Sequence, residues 1–478
     1  MIFKRKIVHT LLFILVGYSG ALSQSFGPMQ KPTVGDTATT QWLAVQQEGL
    51  WPLLYQEDIL HVYTPLVCET DPVTGLTVVA YAFGDSVYIV DHSGNSLPGW
   101  PIDTHSITGG YGASYPVLGD IDGDGDLEVV SYNNKYFAGD YVIAWHLESG
   151  GLVNHWPLAF PDDLCDLALS DLDNDGTLEV LVSRRCVDYG EAFVFALNGD
   201  GSLFEEWPAM SDSTNSNEDM SSLSSADLDG DGKKEVIISY WEYYNEIDSS
   251  PVFIYDYNGN FKWKHIVDGS IQKACVGNID NDPELEILLL YNFQVDSQYK
   301  SGTLILNHDG TIVPGWDPKI WYEAWDLAFA DIDLDGKKEI IVSSHSKPYM
   351  IVYNHDGTVK WERENVCSLS NLLIADILGD DKPEIIYGCR KSDCLRALNS
   401  DGEIVLSLPV LPRSGDNYSN MLWDLDHDGD VELLSFNVDY HLNRNEFCAW
   451  DLAFKINTAE PDWPMYRHDA RHSGYDPK

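Results

Sequence analysis

One acidic nonapeptide recurs along this chain at nearly constant spacing, and internal repetition limits the available folds more than any other feature of a sequence. It reads DIDGDGDLE at 120–128, DLDNDGTLE at 171–179, DLDGDGKKE at 227–235, DIDLDGKKE at 331–339 and DLDHDGDVE at 424–432. Two altered copies fill the gaps, NIDNDPELE at 278–286 and DILGDDKPE at 376–384, and a weaker one, ETDPVTGLT, starts at Glu69. Successive starts lie 45 to 56 residues apart. A period of about fifty residues marks one supersecondary unit that must stack on its own copies to bury an apolar face.

Each unit keeps one internal order. An apolar stretch enters the acidic loop and a Val/Ile/Leu run leaves it, as in EVLVS, EVIIS and EIIVS; both read as strands. A variable polar stretch follows, then a third apolar segment ending in an Asn/Asp-Gly turn, such as VFIYDYNGN from Val252 or LILNHDGT from Leu304. That turn between β-patterned runs is a strong hairpin signal. A fourth segment carries Trp100, Trp156, Trp207, Trp263, Trp316 or Trp361. Four antiparallel strands repeated every fifty residues predict an all-β fold, a β-propeller of four-stranded blades, whose radial closure leaves only short edges. Eight starts favour eight blades. Seven is the alternative, in which the Glu69 unit and the C-terminal strands share one closing blade.

Lys4, Arg5 and Lys6 precede an apolar run at 7–16 and small residues at Ala21 and Ser23, the pattern of a secretory signal peptide at 1–23. Residues 24–60 then form an N-terminal lead able to contribute a strand to the closing blade, and 61–478 form the propeller. The expected location is secreted, periplasmic or cell-surface. The 478 residues include 29 basic and 76 acidic ones, a net charge of −47, which repels phosphate backbones and anionic lipid. Nucleic-acid binding is therefore not expected, and no later segment is apolar for long enough to predict membrane insertion.

The loops carry carboxylates at positions 1, 3, 5 and 9 and Gly at 6, so a short chain can wrap a hard cation in oxygens. Calcium is the expected guest, at about five sites. The candidate ligands are Asp120, Asp122, Asp124 and Glu128; Asp171, Asp173, Asp175 and Glu179; Asp227, Asp229, Asp231 and Glu235; Asp331, Asp333, Asp335 and Glu339; and Asp424, Asp426, Asp428 and Glu432. Asn278, Asp280, Asp282 and Glu286 form a weaker set, because the first ligand is neutral and Pro283 replaces the glycine. The loop from Asp376 loses its second ligand to Leu378. An EF-hand would need a Glu at position 12 and a following helix, and this chain has neither pattern.

These loops resemble the FG-GAP or VCBS repeat family, the propeller related to the integrin α-subunit N-terminal domain. The closing WPMYRHDARHSGYD at 463–476 is similar to the terminal segment of exported propellers of that type. The resemblance implies structural calcium and a role in adhesion, in carbohydrate contact or as part of an enzyme.

With strands in the order a-b-c-d, the acidic a–b loops and the c–d turns share one face. The b–c and d–a connections share the other, and they are the more varied set. Varied loops on a rigid scaffold are where binding resides. Tyr136, Tyr189, Trp241, Tyr243, Tyr244, Trp321 and Tyr322 lie in that set, with Tyr132 beside them, as candidates to contact a protein or glycan partner. The expected role is a binding or adhesion module of unknown oligomeric state, and catalysis is not expected. The alternatives are a carbohydrate-active enzyme resembling a polysaccharide lyase, with Lys135, Arg184, Arg185 and Tyr189 as its candidate residues, or a structural subunit of a cell-surface complex. Cys165 and Cys186 lie at −6 and +15 from their loop start, and Cys367 and Cys394 at −9 and +18 from theirs. The equal sums predict a Cys165–Cys186 disulfide. They also allow Cys367–Cys394, with Cys389–Cys394 as a competing pair.

Overall fold

The Val/Ile/Leu runs after the acidic loops have no polar side to turn to water, and strands of that kind survive only where both faces are covered. The computed structural model shows this directly: Glu179–Arg184 and Glu339–Ser344 are buried along their whole length. It describes residues 66–455 apart from 115, 135–139, 161–162, 185–191, 211–217, 243–248, 280–281, 296–297, 317–318, 323, 345–348, 365, 367–370, 390–393, 410–415, 428–429 and 440–443.

The described residues form eight antiparallel sheets in chain order, spanning 67–103, 111–160, 164–210, 218–267, 270–322, 324–364, 373–409 and 416–455. Within a sheet each strand pairs with the next in sequence, a-b-c-d; in the second sheet strand a is broken into Tyr111–Ala113 and Val117–Gly119, which pair with one partner strand, and the eighth has three strands among the described residues. The Glu69 unit and the C-terminal unit thus belong to separate sheets. The lead at 24–60 and the signal peptide lie outside the described residues.

First strands face first strands of neighbouring sheets around the middle of the molecule, and fourth strands lie outermost. Phe261–Val267 and Val359–Glu364, both fourth strands, are accordingly largely open to solvent. The apolar core is divided into clusters between successive sheets. One joins Ala168, Leu181 and Phe193 of the third sheet to Leu223, Ile238 and Phe253 of the fourth. Another joins Leu66, Val79 and Ile89 of the first sheet to Met421 and Leu434 of the eighth. Thr77 Oγ1 and His427 Nε2, 2.9 Å apart, meet across the same junction.

Polar groups also tie the inner strands together. Asp166 accepts the backbone N–H of Leu223 in the next sheet at 3.0 Å, and Asp326 accepts that of Leu372 at 2.7 Å. Asn371 and Asn420 exchange two bonds of 2.9 Å. Buried backbone donors that would otherwise lack partners are satisfied this way.

A second joint runs along the rim. The indole Nε1 of Trp100, Trp156, Trp207, Trp263, Trp316 and Trp361 donates to a backbone carbonyl at the c–d turn of the following sheet, on Leu147, Gly199, Tyr257, His308, His355 and Ser400, at 2.7 to 2.9 Å. The turn glycines make room for these rings. A Cβ on Gly310 would stand 2.9 Å from the Trp263 ring and one on Gly402 2.9 Å from Trp361, and both glycines have positive φ.

Candidate metal centres in the acidic loops

The register between strands a and b is the same at all seven nonapeptides. The residue before the loop faces the position-9 glutamate: Gly119 and Glu128, Ser170 and Glu179, Ala226 and Glu235, Gly277 and Glu286, Ala330 and Glu339, Ala375 and Glu384, Trp423 and Glu432. Each glutamate is therefore at most 9% exposed; six of the seven open strand b, and in the eighth sheet strand b starts two residues earlier, at Asp430. In every copy, one of the glutamate's oxygens accepts the backbone N–H of loop position 2, at 2.6 to 3.1 Å.

The position-1 aspartate closes the turn from the other side. Asp171 Oδ1 accepts from Asp175 N and Oδ2 from Gly176 N, both at 3.0 Å; Asp227 and Asp331 repeat the pattern. Asp376 keeps it, although its loop has lost the second ligand. At 278–286 the side-chain amide of Asn278 donates to the carbonyl of Asp282 instead. The loop that starts the first sheet is shorter than its sequence pattern suggests. Strand a runs to Thr70 and strand b begins at Thr77, so the turn is built on Asp71, which accepts Val73 N at 2.9 Å and Thr74 Oγ1 at 2.6 Å.

Carboxylates converge within these turns. One oxygen each from Asp171, Asp173 and Glu179 lies within 4.8 Å of the others, as does one each from Asp227, Asp229 and Glu235 and one each from Asp120, Asp122 and Asp124. Burial pushes the Glu128 and Glu384 carboxyls up to about 8 and those of Glu179 and Glu339 up to about 7, against an ordinary value of 4.5. A cation brought to such groups favours their charged form. The 171–179 loop fits one: Asp173 Oδ1 is buried and has no hydrogen-bond partner, the condition a metal ion would relieve. Asp173, Asp171 and Glu179 would hold it. In the 120–128 loop, His146 Nδ1 stands 3.2 Å from Glu128 Oε1. Of the fifth predicted set, Asp428 lies outside the described residues, as does Asp280 of the weaker set.

Residues 171–238, which span two of the nonapeptides, match the FG-GAP-like repeat family. Among solved structures the Dos1 propeller is similar over 86% of this chain and 97% of its own, at 12% identity and a TM-score of 0.53. The chain is a β-propeller, with an FG-GAP-like match confined to residues 171–238. The propeller is also similar to the V. cholerae biofilm matrix protein Bap1, at 13% identity over 88% of this chain and 94% of that one, TM-score 0.43. A third similarity is to the Bacillus licheniformis rhamnogalacturonan lyase, at 14% identity over 83% and 84%, TM-score 0.47. No curated protein matches the sequence.

The opposite face is described mostly by its backbone. Trp241 sits near the end of strand b in the fourth sheet, opposite Asp219, and Trp321 and Tyr322 end strand d of the fifth, opposite Ser301 and Lys300. These positions are at the end of the sheets away from the acidic loops. Tyr136, Tyr189, Tyr243 and Tyr244 lie outside the described residues, as do Lys135 and Arg185. Tyr132 belongs to the core instead: it is buried, and its hydroxyl donates to Cys165 O at 2.9 Å. Arg184 is likewise buried. No helix among the described residues is long and apolar enough to cross a membrane.

The cysteine arithmetic assumed a directly opposed pair, and the observed register differs. Loop-flanking pairs sum to +7, and Cys165 falls in a bulge between Leu164 and Asp166, which face Arg184 and Ser183. Cys186 lies outside the described residues, as does Cys367. Cys389 and Cys394 face each other across strands b and c of the seventh sheet, the register required by the competing pair. Cys68 is a buried free thiol, and Cys275 is buried.

Proposed function

We propose that the propeller is an exported, calcium-stabilised binding module that engages a protein or glycan partner through the face formed by its b–c and d–a connections. One observation carries this reading: the carboxylates and turn carbonyls of the acidic-loop face are largely engaged within the molecule. Its aspartates and glutamates bond loop backbone, its turn carbonyls accept tryptophan indoles, and its converging carboxylates suit a cation. The other face carries connections of differing length, including a five-residue helix at Thr104–Thr108, and bears Trp241, Trp321 and Tyr322. Calcium would neutralise carboxylates whose repulsion otherwise weakens the turns.

The test has two arms. Thermal melting of the full chain in calcium and in chelator, with calcium restored, should show a reversible loss of stability on chelation; an unchanged melt overturns the calcium part. Binding to a printed glycan array and to immobilised cell-surface protein extract should be lost on combined Trp241→Ala, Trp321→Ala and Tyr322→Ala substitution, with the melt retained. Retained binding overturns the assignment of the face.

A further inference from the structure

The acidic loops at 227–235 and 331–339 differ from the loop at 171–179 in a way their own nine residues do not show. In each, a lysine near the start of strand d of the same sheet reaches back into the loop. Lys262 Nζ lies 2.7 Å from Asp229 Oδ2 and 2.9 Å from Glu235 Oε1. Lys360 Nζ bonds Asp333 Oδ2 and lies 3.1 Å from Glu339 Oε1. The carboxylates bridged are loop positions 3 and 9, two of the four side chains that would hold a metal. At position 3 of the 171–179 loop, by contrast, Asp173 Oδ1 is the buried, unpartnered oxygen.

The lysines are placed by a short motif. Each stands three residues after the turn glycine, in NGNFK at 258–262 and DGTVK at 356–360. The same position holds Val153, Phe204 and Val313 in the second, third and fifth sheets, all buried in the core, and Val405 in the seventh.

We propose that in these two loops the ammonium of Lys262 or Lys360 takes the place of the divalent cation, so that they hold no calcium. An ammonium offers three donors and one positive charge, enough to satisfy a buried glutamate and its neighbouring aspartate through charge-assisted bonds. Calcium needs six to eight oxygens around it, and the ammonium stands between two that the loop would have to supply. Entry of the ion would break both lysine bonds and leave the ammonium beside a doubly charged neighbour. The inference rests on the reading that the remaining acidic loops take calcium.

Calcium per chain is counted by native mass spectrometry, on the full chain in excess calcium chloride, for the parent, Lys262→Met, Lys360→Met and the double variant, with Lys262→Gln and Lys360→Gln as second replacements. One extra ion per lysine removed is expected, and two in the double variant. In chelator the variants should melt below the parent and recover with calcium. Equal counts in parent and variants overturn the proposal. Asp229→Asn on the parent background reads the same point without touching a lysine: the count should stay constant, and loss of one ion overturns the proposal. The calcium reading fails separately. A parent with no calcium and variants that gain it would sink that reading and leave the lysine assignment standing; a calcium-bearing parent with no gain in the variants would do the reverse.

Discussion

Glu384 shows what the position-9 glutamate does once the rest of a loop has decayed. Its loop has lost a ligand, yet Glu384 remains buried and accepts Ile377 N at 3.0 Å. Burial raises its carboxyl to about 8, and Asp380 and Asp376 add to the rise. In the unfolded chain the same group ionises near its ordinary 4.5, so folding takes up a proton between these limits. The stability it contributes is full at low pH and is lost as pH rises through about 8. Glu384→Gln keeps the acceptor and removes the charge. In chelator it should melt with the parent near pH 4 and be about 4 kcal/mol more stable at pH 8; equal melts at both pH values would refute the buried-acid account. The staple was open to discovery from sequence alone, because Glu286 and Glu384 persist in copies whose first or second ligand has gone. A purely metal-binding glutamate gives no reason for that persistence. The role of Lys262 was harder to see, since it lies 27 residues beyond its glutamate and only the fold brings strand d back over the loop.

The repeating element is a four-stranded sheet whose joints to its neighbour are made at fixed places. Trp316 is fully buried and donates to His355 O at 2.7 Å. Trp316→Phe should therefore cost about 1–3 kcal/mol, through an unpaired carbonyl and a small void, read as a lower urea midpoint. Gly277 ends strand a of the fifth sheet, where a Cβ would come within 2.3 Å of the Phe329 ring of the sixth. Gly277→Ala should lose about 1–3 kcal/mol by overpacking, and Phe329→Leu in the same chain should recover part of it in the same urea titration. The hairpins and fourth strands were legible in the sequence because Asn/Asp-Gly turns and tryptophans mark them. The inner-strand register was not: the loop-flanking pairs sum to +7, two places from the disulfide arithmetic, and the bulge at Cys165, which leaves the alternation of apolar residues almost intact, moves the pairing one place further.

For the whole molecule, the number of sheets among the described residues equals the number of loop starts, since every start announces one strand pair. Closure was less legible, for it depends on residues far apart in sequence. Leu66 and Val79 of the first sheet share a cluster with Met421 and Leu434 of the eighth. A chain ending at residue 415 should leave that cluster half uncovered, bind an apolar dye and aggregate on mild warming; a soluble truncate with the parent's melt would show that the junction is dispensable. The rim tryptophans carry one more consequence. Each indole addresses a main-chain oxygen, and the residues that own those oxygens are Leu147, Gly199, Tyr257, His308, His355 and Ser400, a set that runs from glycine and leucine to serine, tyrosine and two histidines. The receiving partner is recognised by backbone shape and not by residue identity. A duplicated unit could thus drift at its receiving position without losing its place in the row, and the joint would outlast the resemblance between the copies it connects.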